Sequence, residues 1–127
     1  MITITPLYAA PLAILLVGLV LRVVALRRRL KVGIGDGGER ELAKAVRAHG
    51  NAAETIPIAI VLLLLAELAG VGSALLHGAG IALLVGRLLH AYGLSTRSGM
   101  SFGRFTGMVL TLLAITVLAV VSVVRVL

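Results

Sequence analysis

The 127-residue chain contains no cysteine. Disulfides and thiolate metal sites are therefore excluded. It has no tryptophan either, and aromatic residues make up only 3% of it. Without a stacking platform, the basic residues do not form a nucleic-acid surface. Acidic residues are scarce, five Asp and Glu against twelve Lys and Arg, which leaves a net charge of +7. Charged residues of both signs total 13%, where a soluble domain carries about a quarter. No low-complexity tract or separate soluble domain interrupts the chain. The stretch from Met1 to Pro6 lacks the positive start of a secretory signal, so no cleaved signal peptide is expected.

What is present is apolar. Hydrophobic residues account for 60% of the chain, and mean hydropathy is +1.14. A domain this short buries only about 60 to 70% of its surface in water, too little to hide that much apolar area. Lipid is the solvent that suits it. Inside a bilayer every backbone polar group must be satisfied internally, which leaves helices or a closed barrel. The runs are continuous and rich in Leu, Ala and Val, without alternation of period two. They therefore read as helices.

Four spans are expected in one membrane domain covering residues 1–127: about 6–26, 37–69, 74–94 and 102–124. Thr5 is positioned to cap the first, and Pro6 suits its first turn. Arg27, Arg28, Arg29 and Lys31 stop it, with Arg22 within snorkelling reach. Asp36 and Glu39 have the spacing of a reciprocal cap, so the second helix is expected to begin at Gly37. Its first half is charged and should project beyond the bilayer. Gly78, Ala82 and Gly86 set small residues four apart on the third span, which permits close helix approach. Basic residues crowd the first connection, where Arg27, Arg28, Arg29, Lys31, Arg40, Lys44 and Arg47 lie. Arg97 and Arg104 mark the third. The second has none. Both of these connections are thus expected on the cytoplasmic side and both termini outside.

The stretch Arg47 to Pro57 carries the most chemistry. Arg47, Asn51 and Glu54 fall at i, i+4 and i+7 and share one helical face. Polar residues entering a membrane on one face imply either a bridging network or a polar pocket. The first would pair Arg47 with Glu54 and leave Asn51 as a cross-link. The second would hold a ligand at the cytoplasmic interface. Arg87 and His90, one turn apart on the third span, lie at the same depth, and Glu54 is a candidate partner for Arg87. Tyr92 reads as an interfacial aromatic. Glu67 and His77 read as solvated residues near the outer ends. His49 and His90 lack the companions that a metal site needs, so no metal is expected.

These residues carry a resemblance. The chain has four spans, a long charged second helix bearing Arg-x3-Asn-x2-Glu-x2-Pro (Arg47, Asn51, Glu54, Pro57), and Gly86-Arg87 towards the end of the third. In this it resembles the MAPEG family, the membrane-associated proteins of eicosanoid and glutathione metabolism. That family includes microsomal glutathione transferases and the leukotriene-forming synthase. The resemblance covers essentially the whole chain, and the short length is similar to that of small bacterial members. It implies an all-α bundle of four transmembrane helices, assembled as a homotrimer in the bacterial inner membrane. It also implies glutathione bound between subunits near the cytoplasmic face, with lipophilic small molecules as the second substrate.

By this resemblance Arg47, Asn51, Glu54 and Arg87 are glutathione contacts, joined by His90, which stands where the eicosanoid branch carries a tyrosine. Glutathione has two carboxylates and one ammonium, so two arginines and a glutamate complement it. Active members use a further Arg to stabilise the thiolate. Arg97 and Arg104 are the candidates here, although neither falls at the family's spacing. Leu94 and Thr55 also replace tyrosines of the eicosanoid branch, so the resemblance supports binding more directly than catalysis. Two other classes compete. One is an assembly protein whose polar face only knits subunits together. The other is a small multidrug-type exporter, which needs an ionisable residue deep in the membrane. The first span offers none, and Glu54 lies at the cytoplasmic edge.

Overall fold

The apolar runs fold as α1 (Thr5–Leu30), α2 (Arg40–Leu68), α3 (Ser73–Thr96) and α4 (Phe102–Val124) in a computed structural model that describes residues 2–97, 99–125 and 127. All four are long and apolar enough to cross a membrane. At 1.5 Å per residue the 23 residues of α4 reach about 35 Å and the 29 of α2 about 44 Å. The hydrocarbon core is about 30 Å thick, so α2 extends beyond it. The chain is an all-α membrane protein of four helices.

The helices alternate in direction. The start of α1 meets the end of α2 and the start of α3 through Glu67 and His77. The end of α3 meets the start of α4 where Gly93 lies against Arg104. Both chain ends therefore share one end of the bundle, and the first and third connections share the other. The α2 and α3 helices pack together in the middle. The α1 and α4 helices each touch both of them and, among the described residues, do not touch each other.

The helical period explains what is buried. On α2, Ala45, Ala48, Ala52, Ile56, Ala59, Leu63 and Ala66 recur every three or four residues and face inward. From Ala48 onward they join Leu12, Leu76, Leu83 and Leu118 in the main core. Val23, Leu26, Leu42 and Ala45 form a smaller cluster between α1 and α2. Large aliphatics such as Leu7, Ile14, Leu21, Val61, Leu65 and Leu113 point outward. In water such a surface would aggregate, whereas in lipid it is the expected exterior.

Two close approaches fix the spacing of the helices. Gly80 of α3 lies against the Tyr8 ring of α1, leaving no room for a Cβ. Gly86 of α3 faces Gly107 of α4, and a Cβ built on Gly86 would sit 2.9 Å from the Gly107 carbonyl oxygen. Backbone atoms cannot move aside, so these helices meet through glycine. The expected stripe is only partly used. Gly86 belongs to it, but Gly78 faces open space.

Several local expectations change. Thr5 lies inside the first turn, and Ile4 occupies the cap position with no side-chain bond. Glu67 supplies the cap instead. Its carboxylate accepts the N–H groups of Thr3, Ile4 and Thr5 at 2.6, 2.8 and 2.7 Å. The unsatisfied amides of a helix start, with their partial positive charge, favour such a carboxylate. Glu67 is therefore a bonded residue and not a merely solvated one. His77 is likewise engaged, its Nδ1 2.8 Å from the Tyr8 hydroxyl. The α2 helix starts at Arg40 and not at Gly37, because Gly37 and Gly38 have left-handed φ values of 60° and 79°. Asp36 accepts the Gly38 N–H in that turn, and Glu39 makes no reciprocal side-chain bond. The α1 helix runs on through the arginines to Leu30, four residues beyond the expected end at 26, and α3 runs to Thr96. Basic residues are good helix formers and lie where a span leaves the hydrocarbon.

Candidate functional site

At the end bearing the first and third connections, α2, α3 and α4 diverge around an open cleft of about 380 Å³. The α2 helix contributes Arg40, Lys44, Arg47 and Asn51. Their spacing of four, three and four residues keeps them on one face. His90 and Leu94 come from α3, and Arg97 from the residue that ends it. Arg104 and Met108 come from the first turns of α4. Ser101 sets the start of that helix, its hydroxyl accepting the Arg104 N–H at 3.3 Å. The Arg104 guanidinium donates to the Gly99 carbonyl at 2.6 Å, which draws the third connection over the helix end.

Behind the cleft lies Arg87, only 2% exposed. Its Nη1 donates to Asn51 Oδ1 at 2.7 Å and to Thr55 Oγ1 at 2.7 Å, with a longer bond to the Asn51 carbonyl. Thr55 in turn donates to that same carbonyl. Arg87 thus orients Asn51 from α3. Its Nε and Nη2 are buried without a hydrogen-bond partner. Burying a cation with unused donors is costly, which makes this an expensive way to hold one amide.

The residues singled out in the sequence are distributed accordingly. Arg47, Asn51, His90, Arg97 and Arg104 line the cleft together. Arg87 and His90 are both buried, His90 lining the cleft beside Asn51 and Arg87 bonding that same Asn51 from behind it. The partners of Arg87 are Asn51 and Thr55, and Glu54 is not among them. Glu54 is exposed and does not line the cleft. Among the described residues the ion pair that forms is Arg29 with Glu41, so Arg47 and Glu54 are not bridged. No three of His, Asp and Glu converge among the described residues. Tyr92 is exposed, as an interfacial aromatic would be.

Sequence reading did not pick out Arg40, Lys44 and Thr55 for the site. For the first two the signal was present, since they precede Arg47 by seven and three residues on its own face. For Thr55 there was none, because its partner is 32 residues away on another helix.

Comparison with known proteins matches residues 5–124 to the MAPEG family. The inner membrane protein YecN of Escherichia coli K12 is 48% identical over 104 residues, which cover 77% of this chain and 79% of that protein. YecN of Escherichia coli O6:H1 shows the same identity and coverage.

Proposed function

We propose, from the premise that this chain belongs to the MAPEG family, that it binds glutathione in the basic cleft and presents its thiol to lipophilic electrophiles. The observation that carries this is the joint display of Arg47 and Asn51 on the cleft wall, with Asn51 oriented by buried Arg87. Arg47 offers a planar fork to a carboxylate. Asn51, its carbonyl side taken by Arg87, can turn its amide N–H groups to a second acceptor. His90 lines the floor. In the reaction the thiolate sulfur forms a bond to the electrophilic carbon. The displaced electron pair leaves on the departing group or opened ring oxygen, and the thiol proton passes to solvent. Arg97 or Arg104, both on the cleft, would hold the thiolate against reprotonation.

Glutathione's ammonium needs a carboxylate, and the cleft of one chain contains none. Glu54 is exposed on α2, two turns beyond Arg47, and unbridged among the described residues. An exposed carboxylate where α2 enters the membrane is costly unless another chain meets it. This supports a site completed by a neighbouring subunit, in a homotrimer of the inner membrane, with the cleft on the cytoplasmic side. The competing assembly reading rests on an Arg47–Glu54 bridge, which is not formed among the described residues.

Calorimetric titration of glutathione into the detergent-purified protein, with Arg47→Ala as control, tests the reading. Saturable binding lost in the variant supports it. No binding at millimolar glutathione sinks it and leaves the assembly role in front.

A further inference from the structure

The cleft holds more positive charge than glutathione can answer. Five cations line it, Arg40, Lys44, Arg47, Arg97 and Arg104, and no carboxylate does. Of the acids beside it, Glu41 pairs with Arg29 and Asp36 accepts the Gly38 N–H, and neither Glu39 nor Glu54 lines the cleft. Glutathione brings two carboxylates and an ammonium, a net charge of about −1. Arg40 and Lys44, outside the glutathione set, face this cleft without a carboxylate on its wall, and they lie where lipid headgroups lie.

The cleft also has an apolar exit. A second cavity of about 240 Å³ shares His90, Arg104 and Met108 with it and adds Met100, Ser101 and Phe105. Met100, in the third connection, and Phe105, in the first turn of α4, are largely exposed, which leaves them open to a lipid chain. A basic chamber sharing three wall residues with a Met- and Phe-lined groove suits an amphiphile, headgroup inside and tail along α4.

We propose that this pair of cavities binds an anionic phospholipid of the adjoining leaflet. The phosphate is held by Arg40 and Lys44, and an acyl chain lies along Met108 and Phe105. A phosphate suits this setting better than a single carboxylate, since it offers several acceptor oxygens to converging cations. The site stands whether or not glutathione binds, because Arg40 and Lys44 are outside the glutathione set.

Native mass spectrometry of the full-length protein, titrated with phosphatidylglycerol or phosphatidylcholine, tests this directly. Phosphatidylglycerol should be retained at least about tenfold better, a difference of about 1.4 kcal/mol. The R40Q/K44Q double variant should lose most of that preference. Phe105→Asn should weaken retention of phosphatidylglycerol while leaving the preference for it intact. Inorganic phosphate at equal concentration should displace little lipid. Equal retention of the two lipids overturns the proposal, as does a preference unchanged by R40Q/K44Q. Ready displacement by phosphate overturns the tail groove and leaves a plain anion site. Glutathione titration of R40Q/K44Q reads the other ligand separately, so either reading can fail alone.

Discussion

Arg87 Nη1 donates to Asn51 Oδ1 across 2.7 Å, joining the middle of α3 to the wall of the cleft on α2. The arginine has no carboxylate partner, and two of its nitrogens are unused. Stability alone would favour an apolar residue there, since replacing a buried charge by a hydrophobic residue of similar volume is often neutral or stabilising. Arg87→Met should therefore leave the thermal midpoint in detergent at or above the wild-type value. Glutathione affinity should fall about tenfold, roughly 1.4 kcal/mol, as Asn51 loses its orientation. A collapse in stability with unchanged affinity in the surviving protein would falsify the positioning role.

Glu54 follows Arg47 by two turns along one face of α2, and both are exposed, but only Arg47 lines the cleft. If glutathione spans two subunits, Glu54→Gln and Arg47→Ala each lower affinity without dissociating the assembly. Co-assembled from the two variants, some interfaces regain an intact Arg47 and Glu54 from different chains. Titration of the mixture should then recover a fraction of sites at wild-type affinity. Recovery of none would mean that one chain supplies both residues.

Glycine matters at some positions and not at others. A Cβ on Gly107 would meet the Gly86 carbonyl and the His90 backbone nitrogen, while one on Gly78 would meet nothing within 4 Å. Gly107→Ala should lower the thermal midpoint by several degrees, as overpacking costs about 1–3 kcal/mol. Gly78→Ala should be neutral or slightly stabilising, because alanine is the better helix former by about 1 kcal/mol. Paired melting curves read both. Destabilisation by Gly78→Ala would place a partner subunit against that face.

This contrast also shows how far the sequence could be read. Apolar run length settles the number of helices, and the period of α2 puts Arg47 and Asn51 on one face before any coordinates. Which small residues of α3 face inward depends on where α1 and α4 lie, so Gly80 and its Tyr8 partner were not legible. The charge of Arg87 suggested a carboxylate, whereas the fold supplies an amide and a hydroxyl. Lys44 was legible as a charge but not as part of a cleft wall. That wall exists only once Arg97 and Arg104 arrive from more than fifty residues on.

Sidedness can be measured cleanly, because the chain has no cysteine of its own. Ile34, in the first connection, and Gly72, in the second, are both exposed. Basic-residue placement predicts that Ile34→Cys reacts with a membrane-impermeant maleimide only after the cells are opened. Gly72→Cys should react in intact spheroplasts. The reverse pattern would turn the topology over.

The bonds from Glu67 to the amides of Thr3, Ile4 and Thr5 connect positions 62 to 64 residues apart in the chain. Synthesis proceeds from the N-terminus, so the first span waits for its cap until the second has been made and has crossed back. The two spans therefore mature as a hairpin, and the beginning of the first is the last part of that hairpin to settle. Ribosome-bound chains halted before Glu67 should show rapid hydrogen exchange at Thr3 to Thr5, and chains halted well beyond it should show protection. Equal protection in both would mean that the first span settles without its partner.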